Sequence, residues 1–383
     1  MTGVAAERRL GLLLLATAAG TNIPTVLLLI CQVTLDMSDT ELTALFGVYA
    51  VGMVPALVLA GPAADRWGRR PVAIPAALVS ALASLAFITA QDSEPLLFAV
   101  RFLQGAAAGA LFSVASAWLI ETSLLAGRQT GARRAAVTMT GGFAIGPTVA
   151  GLTGEWGPWP LALPYLLHGA SLLTAVLVVW AVADTGGHGS DHRTDGTMVP
   201  VFAPGQARRA VLVVAPLAVC VYAFPASALG GVPLLVGFPV APIALTGLLA
   251  GATLGAGALA APLQARLGSR SAATAASAGA VGFALTALAA AVPGLLLVSV
   301  PAAVLLGAGG GLALASSLAR LPVIGSPGRL GTVSAAFYGV AYLGFGMPLL
   351  ITRVSLAVDV AVVLAALAVL CVLLASQQAR ARF

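Results

Sequence analysis

The chain has 383 residues, of which 60% are hydrophobic and only 8% charged, and its mean hydropathy is +1.02. A water-soluble globule carries roughly 25% charged residues, so that class is excluded. The net charge of +6 is spread over short loops between apolar runs, which argues against a nucleic-acid partner and for topology signals at a lipid bilayer.

A helix that crosses a bilayer needs about 20 mostly apolar residues. Twelve such segments are predicted, at approximately 10–33, 41–60, 72–90, 96–119, 135–153, 161–182, 210–228, 242–262, 272–292, 294–315, 333–352 and 356–376. The first apolar run merges into a full-length span, so no cleavable signal peptide is expected. Span 1 carries the polar Asn22, followed by Pro24, and Asp36 lies beyond its far end. The loop after span 2, Gly61 to Arg70, packs Asp65, Arg66, Arg69 and Arg70 around Gly68. A short, strongly basic loop between apolar helices reads as a cytoplasmic turn. Placing it inside puts all but Arg101 and Arg353 of the 19 arginines on the cytoplasmic side. Both termini are then expected to be cytoplasmic, with Asp36, Asp92 and Glu155 outside.

Arg101 lies about six residues into span 4, ahead of Gln104 and the small-residue run Gly105 to Gly109. An arginine costs at least ~2.5–3.5 kcal/mol at the centre of a membrane helix, so it needs a partner or an aqueous cavity. A guanidinium does not release its proton in the working range; it depresses a nearby carboxylate's pKa or engages an anionic group. Asp36 is one possible partner. Glu121 is the acid at the inner end of span 4, and span 5 holds Gly142, Gly146, Pro147 and Gly151. Pro147 removes a backbone donor and is expected to bend that helix, while the glycines permit close helix contact. His168 in span 6 is read as a polar packing residue.

The longest polar stretch, Asp184 to Gly196, divides the chain into an N-terminal half (1–183), a flexible linker (184–209) and a C-terminal half (210–383). His188, Asp191, His192 and Asp195 within it are not read as a metal site, and no cofactor is expected. The loop Pro62 to Arg70 partly recurs 200 residues later at Pro262 to Arg270, with Ala265 in place of Asp65. The halves are therefore read as a duplication, with Gly307 to Gly311 matching the small-residue run of span 4. Cys31, Cys220 and Cys371 all fall in apolar spans, which argues against a disulfide framework. Polar or aromatic residues on apolar spans, namely Asn22, Gln32, Tyr49, Gln104, Trp118, Tyr222, Tyr338 and Tyr342, are cavity candidates. Tyr338 and Tyr342, four apart, share a helix face.

These motifs resemble the major facilitator superfamily of transporters over essentially the whole chain. Gly61 through Arg70 is similar to that family's loop between spans 2 and 3, Arg101 to Gly109 to its span-4 signature, and Gly142 to Gly151 to the span-5 motif of proton-coupled antiporters. Ala150 departs from that last motif, where a second glycine is often found. The resemblance implies an all-α integral membrane fold of 12 transmembrane helices in two pseudo-symmetric six-helix bundles. It implies that Asp65 meets the start of span 11, near Thr332, and that Arg69 bridges Asp65 to Glu121 in a conformational latch. It associates Arg101 with proton coupling. No acid sits mid-membrane in span 1, where many drug antiporters of the family carry one.

The resulting expectation is a monomeric, multi-pass inner-membrane exporter of small amphipathic or neutral organic molecules, in exchange for protons. An importer or facilitator of metabolites is the alternative within transport. An embedded enzyme would need convergent nucleophiles, histidines or carboxylates at membrane depth, and none is evident; a non-transporting receptor is the other alternative class. Nor does the chain carry a glycine-rich phosphate loop for ATP.

Overall fold

The computed structural model describes residues 3–34, 37, 39–90, 93–185, 200–236, 242–292 and 294–381. Lipid offers no hydrogen bonds to a backbone, so apolar runs of this length close their own as helices. The first half forms α1 (Gly3–Thr34), α2 (Asp39–Trp67), α3 (Arg70–Ala90), α4 (Glu94–Leu125), α5 (Gly131–Trp156) and α6 (Leu163–Val179). The second half forms α7 (Ala215–Val236), α8 (Pro242–Ala260), α9 (Ser271–Ala291), α10 (Ser299–Ile324), α11 (Leu330–Tyr342) and α12 (Val360–Arg380). Among the described residues, nine stretches are long and apolar enough to cross a membrane; one of them, Ile243–Ala291, holds both α8 and α9. The fold is all-α, with membrane-crossing helices arranged as two six-helix bundles.

In the first bundle α1 packs on α4, α5 and α6, α2 on α4, and α3 on α4 and α6. In the second, α10 packs on α7, α8 and α9, and α12 closes against α9. Small residues set the tightest of these contacts. A Cβ on Gly105 of α4 would stand 2.1 Å from the Tyr49 carbonyl of α2, and one on Gly307 of α10 would stand 1.7 Å from the Thr253 carbonyl of α8. Gly109 on Met53 and Gly311 on Gly257 repeat the pairing one turn along. The duplication is thus visible as the same backbone contact made in each bundle.

The bundles meet along two main seams, α2 with α11 and α5 with α8, with α4 also touching α11 and α5 touching α10. Two expected spans are displaced. Gly294 adopts φ +97° and a 3-10 turn follows at Leu296–Val298, so α10 starts at Ser299 and runs to Ile324. The eleventh span is interrupted by a 3-10 turn at Leu343–Gly346 before Met347–Val354 continues it. Pro348, in the first turn of that continuation, tolerates a fresh helix start because its missing donor is unpaired there anyway. The linker is anchored at both ends: Asp184 and Thr185 bond the first bundle, while Phe202 bridges to Gly325 ahead of α11. His188, Asp191, His192, Asp195 and Asp36 lie outside the described residues.

Candidate functional site

Asp65 sits in the last turn of α2, where its own helix dipole disfavours a carboxylate. It is seated instead on the start of α11. Oδ1 accepts from the Gly331 amide at 3.0 Å, and Oδ2 accepts from the Thr332 amide at 2.9 Å and its hydroxyl at 2.6 Å. Arg69, 1% exposed, pairs with Asp65 at 2.7 Å and with Glu121 of α4 at 2.6 Å. Burial by itself lowers the guanidinium's pKa. The hydrogen bond and charge of Glu121, with the charge of Asp65, overcome that and raise it above its usual value. Arg69 therefore stays charged at any working pH.

Glycine makes this closeness possible. Gly68 ends α2 at φ +105°, a left-handed conformation that side chains resist. A Cβ on Gly331 would lie 2.4 Å from Arg69 and 2.5 Å from Asp65, and one on Gly61 would lie 2.4 Å from the Gly331 carbonyl. Behind the cluster, Asp184 accepts from the Arg69 and Arg70 amides at 2.7 and 3.1 Å, capping α3. The Arg70 side chain bonds the Val182 carbonyl, and Thr185 donates to Glu121 at 2.7 Å. Arg66 is exposed.

A second polar group lies within the first bundle. Arg101 donates to Gln104 at 2.8 Å and to the Thr21 carbonyl at 3.5 Å, and its guanidinium lies 4.3 Å over the Tyr49 ring. Gln104 donates to the Gly20 carbonyl at 3.4 Å. Cation–π contact and carbonyl oxygens stabilise the charge here; among the described residues no carboxylate pairs with it. Asn22, half-buried on α1, is not among the groups that bond Arg101. His168 Nε2 donates to the Ala16 carbonyl at 3.0 Å and Nδ1 shares a hydrogen bond of 2.6 Å with the Ser84 hydroxyl, so both ring nitrogens are satisfied and the ring packs as a polar core residue.

An aromatic cluster fills the place where the bundles meet. Tyr222 of α7, Tyr342 of α11 and Phe345 stack with centroids 4.4 to 5.3 Å apart. Phe143 of α5 meets Tyr222 edge-on at 6.1 Å, and Phe112 joins Phe143 to Tyr338. The Tyr338 hydroxyl bonds Met139 at 3.1 Å, whereas, among the described residues, the buried hydroxyls of Tyr222 and Tyr342 face each other and have no further partner. Beside Tyr222 and Phe143 lies a cavity of about 20 Å³, with Thr140, Pro225, Leu254 and Gly310 in its wall. That is room for about one water. The structure thus gathers Tyr222, Tyr338 and Tyr342, but not Trp118, whose indole is buried and donates to the Ala183 carbonyl.

The α5 glycines divide their partners. Gly142 and Gly146 face the Leu15 and Ala19 carbonyls of α1, and Gly151 faces Gly247 and Ala244 of α8. Helix α5 runs unbroken through Pro147. At its end, Glu155 accepts from the Ile243 and Ala244 amides at 3.2 and 3.3 Å.

The family model described as Major Facilitator Superfamily matches residues 10–348. The chain belongs to the major facilitator superfamily. It is a transporter rather than an enzyme. Multidrug resistance protein MdtL of Escherichia coli O139:H28 (strain E24377A / ETEC) is 44% identical over 88 residues, 23% of this chain and 22% of that protein. MdtL of Shigella boydii serotype 18 (strain CDC 3083-94 / BS512) matches to the same extent. The similarity therefore spans about a fifth of the length of these curated relatives. The proton:xylose symporter XylE, solved with 6-bromo-6-deoxy-D-glucose, shares the fold at a TM-score of 0.73 and 14% identity, over 99% of this chain and 96% of that one. The E. coli fucose:proton symporter FucP does so at 0.71 and 15%, over 100% of both.

Two polar features of this transporter escape sequence reasoning. Glu7, fully buried, ties the start of α1 to the α4–α5 loop and the first turn of α5 by accepting from Arg128, Arg134 and, at 2.9 Å, Thr130. Asp184 caps a helix whose first residue lies 114 positions earlier. The only signal for Glu7 is an acid beside Arg8 and Arg9 just ahead of the first apolar run. Asp184 gives none, because its partner amides are distant in sequence.

Proposed function

We propose that this transporter exports small amphipathic or neutral organic molecules by alternating access, in exchange for protons. The observation that carries the reading is the aromatic cluster between the bundles, with the paired hydroxyls of Tyr222 and Tyr342 buried within it. Flat rings with a few hydroxyls among them suit planar apolar molecules that carry a polar group. The Multidrug resistance name of MdtL supports export, over the short stretch that matches.

In this reading residues 1–183 and 210–383 are the rocking halves, joined by 184–209, in a protein acting as a monomer in an inner membrane with both termini cytoplasmic. The loop of Gly61, Asp65, Arg66, Gly68, Arg69 and Arg70, with Glu121, is the cytoplasmic latch. Arg101 and Gln104 serve coupling or substrate binding, with Asn22 and Asp36 as further candidates. The symporter titles of XylE and FucP favour a second reading, uptake with protons.

Inverted membrane vesicles separate the two. With a panel of planar aromatic growth inhibitors as probes, export by exchange gives accumulation that collapses when the acid-inside pH gradient is removed. Accumulation that ignores the gradient overturns exchange, and accumulation only in right-side-out vesicles favours uptake.

A further inference from the structure

Asp65 and Glu155 occupy equivalent situations at opposite ends of the molecule. Each lies in the last turn of a first-bundle helix, where the carboxylate opposes its own helix dipole. Each instead accepts from two backbone amides in the first turn of a second-bundle helix: Gly331 and Thr332 of α11 for Asp65, Ile243 and Ala244 of α8 for Glu155. The 26 residues of α5, at about 1.5 Å each, place roughly 39 Å between its ends. Beneath Glu155 the seam is backbone against backbone. A Cβ on Gly247 would stand 2.4 Å from the Pro147 carbonyl and 2.8 Å from the Cα of Gly151, and one on Gly251 would stand 1.9 Å from the Thr148 hydroxyl.

We propose that Glu155 is a second latch, which holds the α5–α8 seam shut at the end opposite Asp65. The two seams close opposite ends of the same central space, and in this structure both are engaged. Transport then requires that they release in alternation, and Glu155 governs release on the side that Asp65 does not. The Glu155 bonds span 3.2 and 3.3 Å, against 3.0 and 2.9 Å for the backbone bonds of Asp65. The proposal rests on the alternating-access reading above and adds to it a positioning residue that touches no substrate.

The test uses spin-label pairs in the full-length protein in lipid, with Cys31, Cys220 and Cys371 replaced by alanine. One pair, Trp156→Cys with Leu245→Cys, spans the Glu155 seam. The other, Trp67→Cys with Pro327→Cys, spans the Asp65 seam. Glu155→Gln keeps the size and removes the charge; the long-distance population of the first pair should rise about tenfold, the weight of two weakened charge-assisted bonds, while the second pair stays short. Asp65→Asn should do the reverse. Gly247→Ala, which wedges the seam without touching Glu155, should reproduce the opening and serves if Glu155→Gln fails to fold. An unchanged first pair in Glu155→Gln or Gly247→Ala, with the second pair opening in Asp65→Asn, overturns the Glu155 latch alone. No response of either pair to any variant overturns alternating access by these seams. No substrate is needed, so neither outcome depends on the cargo.

Discussion

At the scale of residues, the charges that matter are those whose partners lie far along the chain. Asp65 is 7% exposed and holds amides 266 and 267 positions away. Bonds to a charged group contribute ~1.5–3 kcal/mol each, so Asp65→Asn should lower transport roughly tenfold or more while the protein still purifies folded. Initial rates in proteoliposomes check this. Arg101→Ala removes the guanidinium from over Tyr49 and leaves Gln104 without its donor. Substrate flux should become independent of the pH gradient or be lost, and flux equal to wild type would reduce Arg101 to a packing residue. The Asp65, Arg69 and Glu121 grouping was legible because motif spacing and the scarcity of acids left few choices. Glu7 and Asp184 were not: each bonds a loop or helix start that only the folded chain brings near, and an acid beside Arg8 and Arg9 does not name Glu7's partners.

At the scale of helices, glycine placement decides which elements can touch. Gly146 has the Ala19 carbonyl 1.9 Å from where its Cβ would be, whereas Gly141, on the same helix, has nothing within 4 Å. Overpacking costs ~1–3 kcal/mol, so Gly146→Ala should lower the melting temperature in detergent, while Gly141→Ala should leave it unchanged or raise it. Equal melting temperatures for the two would show that the α1–α5 contact adapts freely. The twelve spans were readable from hydropathy, since apolar length is what lipid selects. Their ends were not. Helices continue past the apolar run where polar side chains find partners in the fold, as α2 does to Trp67 with Asp65 paired to Arg69, and α10 to Ile324 with Arg320 bonded to Gln378. The break at Leu343–Gly346 also escaped, because Gly344, Gly346 and Pro348 interrupt a run whose mean hydropathy stays high.

At the scale of the whole molecule, two copies of one bundle have kept their internal packing and diverged where they face each other. Gly105 on α2 and Gly307 on α8 repeat the same contact, yet Ala265 offers no carboxylate where Asp65 does. The proposed orientation is checked by labelling single cysteines on intact cells with an impermeant thiol reagent. In a background without Cys31, Cys220 and Cys371, Trp159→Cys, beyond the Glu155 end, should react from outside, and Trp67→Cys should react only after permeabilisation; the opposite pattern inverts the topology. Finally, consider the small space beside Tyr222 with both seams closed around it. Room for about one water is too little for the continuous file of water molecules along which protons hop through an open pore. An idle transporter of this shape is therefore an insulator, and the membrane voltage survives its presence until a cargo parts the bundles.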